Sequence, residues 1–144
     1  MSDIDGAFSW PVRVYYEDTD SAGIVYYANY LKFMERARTE WLRDLGFDHD
    51  RLRREHDALL VVSRLRLDFH RPARLDDELS VMVALARPMR ASIPLSQTIC
   101  RAPRELLCSG EVRIACVDAD TLRPRALPPT IRTELERGHR SVSA

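Results

Sequence analysis

Hydrophobic and polar residues alternate along the segment WPVRVYYE at residues 10–17. Val12, Val14 and Tyr16 fall on one side of an extended chain, and the residues between them fall on the other. This two-residue period predicts a half-buried strand. Pro11 indicates a strand start or a sheet edge, because proline cannot donate a hydrogen bond to a neighbouring strand.

The period changes to that of a helix between about Ala28 and Leu45. The apolar residues that recur at helical steps are Leu31, Met34, Ala37, Trp41 and Leu45. Charged residues lie mostly between them, so the segment predicts an amphipathic helix of about five turns. Gly46 marks its end, since glycine readily takes the left-handed conformation that closes a helix. A shorter, charged helix is predicted at about Asp48–His56.

Alternation returns beyond this helix and predicts about four consecutive strands. The apolar sides of the first two are formed by Val61, Ser63, Leu65, Leu67 and Phe69, and by Leu79, Val81, Val83 and Leu85. Two further runs lie at about 90–100 and 105–118. Short turns between them imply an antiparallel sheet of about five strands and the α+β class. One long helix covers one face of such a sheet, so we expect a partner subunit and hence a dimer.

Length and composition indicate one domain over residues 1–144, with flexible tails at about 1–8 and 138–144. Lys plus Arg and Asp plus Glu number 22 each, so charge indicates neither a nucleic-acid nor a membrane partner. The start lacks the features of a signal peptide, and no apolar run approaches the ~20 residues of a membrane span. We therefore expect a cytoplasmic protein.

Three cysteines, Cys100, Cys108 and Cys116, are spread evenly without a CxxC pair. This pattern is typical of buried reduced thiols and not of a disulfide framework or a zinc site.

The segment DTDSAGIVYY places Asp18, Asp20 and Gly23 directly before the long predicted helix. The carboxylates can cap the helix, hold a metal or act on a substrate. A calcium loop starting at Asp18 would have Ala22 as its fifth residue and Asn29 in place of the bidentate glutamate, which disfavours a metal. Capping suits Asp18, but it accounts neither for Gly23 nor for the aromatic residues that follow.

A glycine and a helix start together favour a binding site for a reacting carbonyl. Gly23 lets the backbone approach a ligand, and free N–H groups at the helix start can hold an oxygen that becomes negative. A carboxylate just upstream can act on the same carbonyl carbon as nucleophile or as general base. The GxSxG, HExxH and phosphate-loop motifs are absent. The four histidines, which we interpret as surface or strand residues, are His49, His56, His70 and His139.

The run VRVYYEDTDSAGIVYYANYLKFMERARTEWLRDLGF, followed by RPARLDDEL, RASI and CVDADTLRPRALP, resembles the hotdog-fold acyl-CoA thioesterases. The resemblance is to the Tol-Pal-associated (YbgC-type) group and to the related 4-hydroxybenzoyl-CoA thioesterases, and it covers nearly the whole chain. It implies a hotdog fold, in which a long helix is wrapped by an antiparallel sheet. It also implies that two subunits form a homodimer with one continuous sheet and with active sites at the subunit boundary. Two such dimers then assemble to a tetramer.

The resemblance assigns roles to individual residues of the acidic segment. Asp20, the last Asp of the DTD motif, corresponds to the catalytic carboxylate, and the N–H of Tyr27 to the group that polarises the thioester carbonyl. Asp18 is left with a structural role. Many Tol-Pal-associated members have histidine at the position of Tyr27. The 4-hydroxybenzoyl-CoA branch, which this chain resembles here, has tyrosine at that position. The tyrosine side chain either packs or lines an aromatic wall for the acyl group, and both interpretations stay open.

Coenzyme A carries phosphates that call for arginine or lysine. The motifs RASI and PRALP contain Arg90 and Arg125, and Arg87 lies close to the first. We assign substrate binding to Gly23, Arg90 and Arg125; the alternative for each arginine is a solvated surface charge.

We therefore predict an enzyme that hydrolyses acyl-CoA thioesters with short aliphatic or aromatic acyl groups, or acyl-carrier-protein thioesters, without a metal or bound cofactor. Two alternatives remain open. One is a binding or scaffold protein of low turnover that engages carrier protein or an envelope-associated complex. The other is a dehydratase acting on acyl thioesters.

Overall fold

The computed structural model describes residues 7–143, with side chains from 7 to 138. The strands are β1 Phe8–Arg13, β2 Ala58–Phe69, β3 Glu78–Leu85, β4 Ser92–Arg101 and β5 Glu105–Asp118. The helices are α1 Tyr27–Asp44, α2 His49–His56 and α3 Pro129–Ser143, and a 3-10 turn spans Tyr16–Asp18. None of the helices in the described part is long and apolar enough to cross a membrane.

The five strands form one antiparallel sheet in the order β1-β3-β4-β5-β2. Strands β1 and β2 are therefore the two edges, and α1 packs against one face of the sheet. This arrangement confirms the predicted α+β class and the number of strands.

Helix α1 matches its predicted range to within one residue at each end. Its buried residues are Asn29, Tyr30, Phe33, Met34, Ala37, Trp41 and Leu42. Leu31 and Leu45, predicted for the buried stripe, are only half-buried because the stripe is rotated towards Phe33. Gly46 has a φ of +92°, which confirms that it ends the helix in the left-handed region. Helix α2 begins after Asp48, whose carboxylate accepts from the Arg51 N–H at 2.7 Å.

Strand β1 is shorter than the alternation over residues 10–17 predicts. Val12 and Val14 are buried as expected, but Tyr16 is 83% exposed, so its predicted place on their side of the strand is wrong. The chain leaves the sheet because the Asp18 carboxylate accepts from the Tyr15 N–H at 2.8 Å and closes a 3-10 turn.

Strand β2 contains a bulge that changes its alternation. Its register with β5 shifts between Val62 and Arg64, so Val62 pairs with Ile114 while Leu65 pairs with Val112. Paired residues share a face of the sheet. Leu65, Leu67 and Phe69 therefore face α1 together with Val62, and the prediction that Val61 shares their face is wrong.

Helix α3 follows the last strand, where our sequence analysis predicted no element. Ile131 and Leu135, four residues apart, are fully buried and anchor it. The tails predicted at about 1–8 and 138–144 fall partly outside the described residues; inside them, Phe8 opens β1 and α3 continues to Ser143.

Gly110 on β5 is expected to tolerate no side chain. A Cβ there would contact the Leu67 side chain and lie 2.9 Å from the Arg66 carbonyl oxygen, which is backbone and cannot move aside. We expect Gly110→Ala to lower the free energy of unfolding by roughly 1–3 kcal/mol through overpacking, measured by urea denaturation. Gly138→Ala is the matched control, because a Cβ in α3 meets open space and alanine favours a helix. Equal stability of the two variants would contradict this prediction.

Candidate active site

The acidic segment forms a tight turn before α1. Thr19 and Val25 make an isolated antiparallel bridge. Within it, the Asp20 N–H donates to the Ile24 carbonyl at 2.9 Å, and the Gly23 N–H donates to the Asp20 carbonyl at 3.0 Å. Gly23 has a φ of +78°, a conformation in which other residues are strained. The turn therefore depends on glycine at this position, which is how the sequence brings Asp20 near the start of α1.

Asp18 points into the protein and holds the segment in place. It is 7% exposed, and besides its bond to the Tyr15 N–H, its carbonyl accepts from the Tyr26 N–H at 3.0 Å. The Asn29 side-chain amide donates to the same carbonyl at 2.8 Å. Asp18 thus caps the 3-10 turn and not α1, which corrects the interpretation that it caps the following helix.

Asp20 points the other way and is exposed to solvent. Its Oδ1 accepts from the Ala22 N–H at 2.9 Å, an Asx-type turn that fixes the side chain. Its Oδ2 has no hydrogen-bond partner among residues 7–138. Over the same residues, no three His, Cys, Asp or Glu side chains are close enough to hold a metal ion. Asp20 therefore presents one free carboxylate oxygen on a fixed side chain.

The first turn of α1 presents unpaired backbone donors. Tyr26 is its N-cap residue and makes no side-chain cap hydrogen bond. The Asn29 N–H reaches back to the Tyr26 carbonyl at 2.8 Å, but the N–H groups of Tyr27 and Ala28 have no acceptor within the helix. The positive end of the helix dipole adds to their attraction for a negative oxygen.

Exposed aromatic side chains lie beside this helix start. The ring centroids of Tyr26 and Tyr27 are 4.7 Å apart, and that of Phe69 lies 6.5 Å from Tyr27 in an edge-on arrangement. Tyr27 is 61% exposed and Phe69 51% exposed. The helix start is thus joined to the end of edge strand β2 by an aromatic surface.

Two residues that sequence reasoning missed connect the acidic segment to the sheet. The Tyr30 hydroxyl accepts from the Ala73 N–H at 2.9 Å, and the Ala73 carbonyl accepts from the Val25 N–H at 2.9 Å. Asn29 makes the bond to Asp18 described above. Polar groups at positions 29 and 30, at the start of an amphipathic stripe, were the only sequence signal for either role.

The β2–β3 connection that carries Ala73 is held by ion pairs. Arg101 donates to the carboxylates of Asp77 at 2.6 Å and Glu105 at 2.9 Å. The hydrogen bond from Arg101 lowers the pKa of Glu105, and hydrogen bonds to both acids raise the pKa of Arg101. These pairs fix the surface against which the acidic segment lies.

The two arginines assigned to phosphate binding lie at the other end of the sheet. The Arg125 guanidinium donates to the His56 carbonyl at 2.6 Å, just before β2 begins, and the Arg90 carbonyl accepts from the Leu127 N–H at 2.9 Å. Asp20 lies where β2 ends. Because β4 alone has 10 residues, about 30 Å separates the two ends. One protomer therefore brings Asp20, Gly23 and Tyr27 together, but not Arg90 or Arg125.

The edge strand β2 is apolar and unpaired on its outer side within the described chain. Val62 is 47% exposed and Leu65 40% exposed, in the same row as Phe69. Exposed apolar side chains along a long edge strand are typical of a protein–protein contact. A cavity of about 180 Å³ opens near this edge, but neither it nor the other cavities described is lined by Asp20 or Tyr27.

Comparisons with known proteins agree with this architecture. Residues 14–135 match the family model described as the thioesterase-like superfamily. The chain is 44% identical over 129 residues to an acyl-CoA thioester hydrolase YbgC of Escherichia coli O6:H1, covering 90% of this chain and 96% of that protein. It is 43% identical to the Haemophilus influenzae acyl-CoA thioesterase YbgC, at 90% and 94% coverage. A crystal structure of a probable thioesterase from Bartonella henselae superposes with a TM-score of 0.80, at 34% identity and coverage of 85% and 99%.

The opposite orientations of Asp18 and Asp20 predict different effects on stability. Asp18→Ala removes the acceptor of the Tyr15 N–H, and we expect it to lower the free energy of unfolding by about 1–3 kcal/mol. Asp20→Ala removes only an exposed acceptor and should stay within about 0.5 kcal/mol of the unmodified protein. Chemical denaturation of both variants measures the difference. A larger loss for Asp20→Ala would show that the two carboxylates have been assigned the wrong way round.

Proposed function

Since the chain belongs to the thioesterase-like superfamily and is an acyl-CoA thioester hydrolase, we propose that Asp20 and the Tyr27 N–H are its catalytic groups. The observation that carries this proposal is the uncapped start of α1, directly after a turn that presents a free carboxylate oxygen. Gly23 contributes by shaping the turn without a side chain that would obstruct the substrate.

In the proposed reaction, the thioester carbonyl oxygen accepts a hydrogen bond from the Tyr27 N–H. As the carbonyl carbon becomes tetrahedral, negative charge develops on that oxygen and is stabilised by the N–H and the helix dipole. The C–S bond then breaks, and the coenzyme A thiolate leaves and takes up a proton. The products are a carboxylic acid and a free thiol.

Asp20 can contribute to this reaction in two ways. It either attacks the carbonyl carbon to form an acyl-enzyme anhydride that water later cleaves, or it removes a proton from an attacking water. Both routes need the free Oδ2 in the same place. Trapping a labelled acyl group on Asp20 during a single turnover distinguishes them.

The Tyr27 side chain serves in this proposal as part of an aromatic wall. Its exposure and its edge-on contact with Phe69 support this role over packing in the core. In this proposal the ring faces the acyl group of the thioester bound at the helix start.

A two-fold dimer supplies the rest of the proposed site. A two-fold axis pairs β2 antiparallel with its own copy, and full overlap of its 12 residues places Phe69 beside the partner subunit's Ala58. That arrangement covers the apolar row on β2. It also brings the partner's end of the sheet that carries Arg90 and Arg125 to the end that carries Asp20. We propose that these two arginines bind the phosphates of coenzyme A across the subunit boundary.

The remaining assignments extend this proposal. The outer face of the sheet, opposite α1, is the surface through which two dimers would form the proposed tetramer. Acyl-carrier-protein thioesters contain the same reactive group and are proposed as alternative substrates. We also propose a reducing, cytoplasmic location, which the thiols of Cys108 and Cys116 support.

Substitution of Asp20 tests the proposed chemistry. We expect Asp20→Asn to lower kcat for a short acyl-CoA by about 10²–10⁴-fold, because amide oxygen is neither a nucleophile nor a base. Release of free thiol is the measurement, and isothermal titration with the substrate should show retained binding. Glu17→Gln, in the same segment and exposed, is the matched control and should keep full activity.

Two outcomes would contradict the proposal. If the unmodified protein turns substrate over slowly, and Asp20→Asn keeps both that rate and the binding of carrier protein, the protein is a scaffold. With a 3-hydroxyacyl-CoA as substrate, an enoyl thioester and water in place of free thiol indicate dehydration.

Substitution of the arginines tests the phosphate site. We expect Arg90→Gln and Arg125→Gln each to raise KM for acyl-CoA by about 5- to 20-fold, because each removes a charged contact to phosphate worth roughly 1–2 kcal/mol. The same acyl group on pantetheine lacks the nucleotide phosphates, so its kcat/KM should not change. An equal loss with both substrates would indicate that the substitutions disturb the fold. Arg104→Gln, on the β4–β5 turn, is the control variant.

A further inference from the structure

A cavity of about 180 Å³ lies beneath the C-terminal half of α1, between this helix, α2 and the sheet. Its apolar walls are formed by Trp41, Leu42, Leu60, Val62, Ile93, Leu95 and Ile114, and its polar lining by Glu35, Arg38, Thr39 and His49. A dry apolar cavity of about 150 Å³ is large enough to bind benzene. This one therefore has room for a single six-membered ring or an acyl chain of comparable size.

One side of the cavity is lined by a half-buried arginine, Arg38. Its Nη1 donates to the Gln97 side-chain oxygen at 2.9 Å. Gln97 is 1% exposed, and its amide donates in turn to the Met34 carbonyl at 3.1 Å. The guanidinium is thus held against the cavity by a buried neutral side chain.

No carboxylate forms an ion pair with Arg38 within residues 7–138. Glu35, one turn earlier on the same helix, accepts from the Thr39 hydroxyl at 3.2 Å and forms no ion pair with Arg38 over these residues. Burial lowers the pKa of the Arg38 guanidinium, and the nearby charge of Glu35 opposes this shift to a smaller extent. A half-buried cation with free N–H groups beside an apolar cavity favours a ligand that brings an oxygen acceptor.

The cavity is too far from the catalytic groups of its own protomer. Arg38 follows Tyr27 by 11 positions, which is about 16 Å along α1. Overlapping β2 strands instead place Phe69 of one protomer next to the Ala58 end of its partner's β2. Leu60, in the wall of the cavity, belongs to that end, and the Phe69 ring lies 6.5 Å from the ring of Tyr27.

We propose that this cavity receives the acyl group of a thioester bound at Asp20 and Tyr27 of the other subunit. In it, Arg38 selects short or single-ring acyl groups whose far end carries a carboxylate or hydroxyl oxygen. The inference rests on the proposed catalytic groups and on the dimer, and it adds the acyl class and the residue that recognises it.

Matched pairs of substrates test the selection. Glutaryl-CoA and valeryl-CoA have equal carbon numbers and differ in a terminal carboxylate; 4-hydroxybenzoyl-CoA and benzoyl-CoA differ in a hydroxyl. We expect kcat/KM to be at least about tenfold higher for the polar member of one pair, and the preferred pair distinguishes carboxylate from hydroxyl. Hydrolysis of both apolar members as fast as their polar counterparts would overturn the inference.

Arg38→Met should remove this preference by lowering kcat/KM for the polar member while leaving the apolar member unchanged or faster. Arg36→Met, exposed on the same helix, is the matched control and should keep it. An equal loss for both members in Arg38→Met would contradict the inference.

If that variant does not fold, Leu60→Phe, which narrows the cavity from its edge, should slow the ring and five-carbon substrates while sparing acetyl-CoA. Unchanged dependence on acyl size would then contradict it.

Mixed dimers test whether the cavity acts across the boundary. Co-expression of Asp20→Asn and Arg38→Met chains with two different tags yields dimers in which one proposed site keeps both residues and the other lacks both. We expect such dimers to have about half of the wild-type activity, with the wild-type preference for the polar substrate. If the cavity served its own protomer, the chain that keeps Asp20 would carry the Arg38→Met change and the preference would be lost. Activity of Asp20→Asn homodimers equal to that of the wild-type protein instead indicates that the proposed catalytic groups are wrong.

Discussion

The unpaired N–H groups at the start of α1 are the constraint on which the rest of the site depends. A helix start normally gains a side-chain cap, but Tyr26 supplies none, and the nearest candidate, Asp18, is used one turn of chain earlier. The donors at Tyr27 and Ala28 therefore remain available to a substrate oxygen.

The surrounding structure makes this arrangement rigid. Asp18 is bound through both its carboxylate and its carbonyl, and Asn29 links that carbonyl to the helix. Tyr30 holds Ala73, which in turn holds Val25. The exposed carboxylate of Asp20 is thus carried on a segment held at both ends, by Asp18 and by Val25, and its own bond to the Ala22 N–H fixes the side chain.

The edge strand β2 explains why one protomer carries only part of the proposed site. Its inner row, Val62, Leu65 and Phe69, is apolar and exposed. The catalytic groups lie at one end of this row, whereas Arg125 and the cavity with Arg38 lie towards the other. Antiparallel pairing of two β2 strands places the catalytic end of one protomer beside the Arg125 end of its partner. The same pairing that covers the apolar row would therefore complete the site.

The sequence by itself determined the class of the fold and the segment that carries the chemistry. The periods of α1 and of the strands were readable because each element buries one face, and the DTD segment before a helix start indicated a carboxylate beside free donors. Only tertiary structure decided which Asp faces outwards, because that depends on the hydrogen bond from Tyr15 to Asp18. It also decided the turn at Tyr16, the bulge in β2 and the burial of α3, which local alternation does not encode. About 30 Å separates Asp20 from Arg125 because they lie at opposite ends of the strands, and only the folded sheet shows which strand ends lie together.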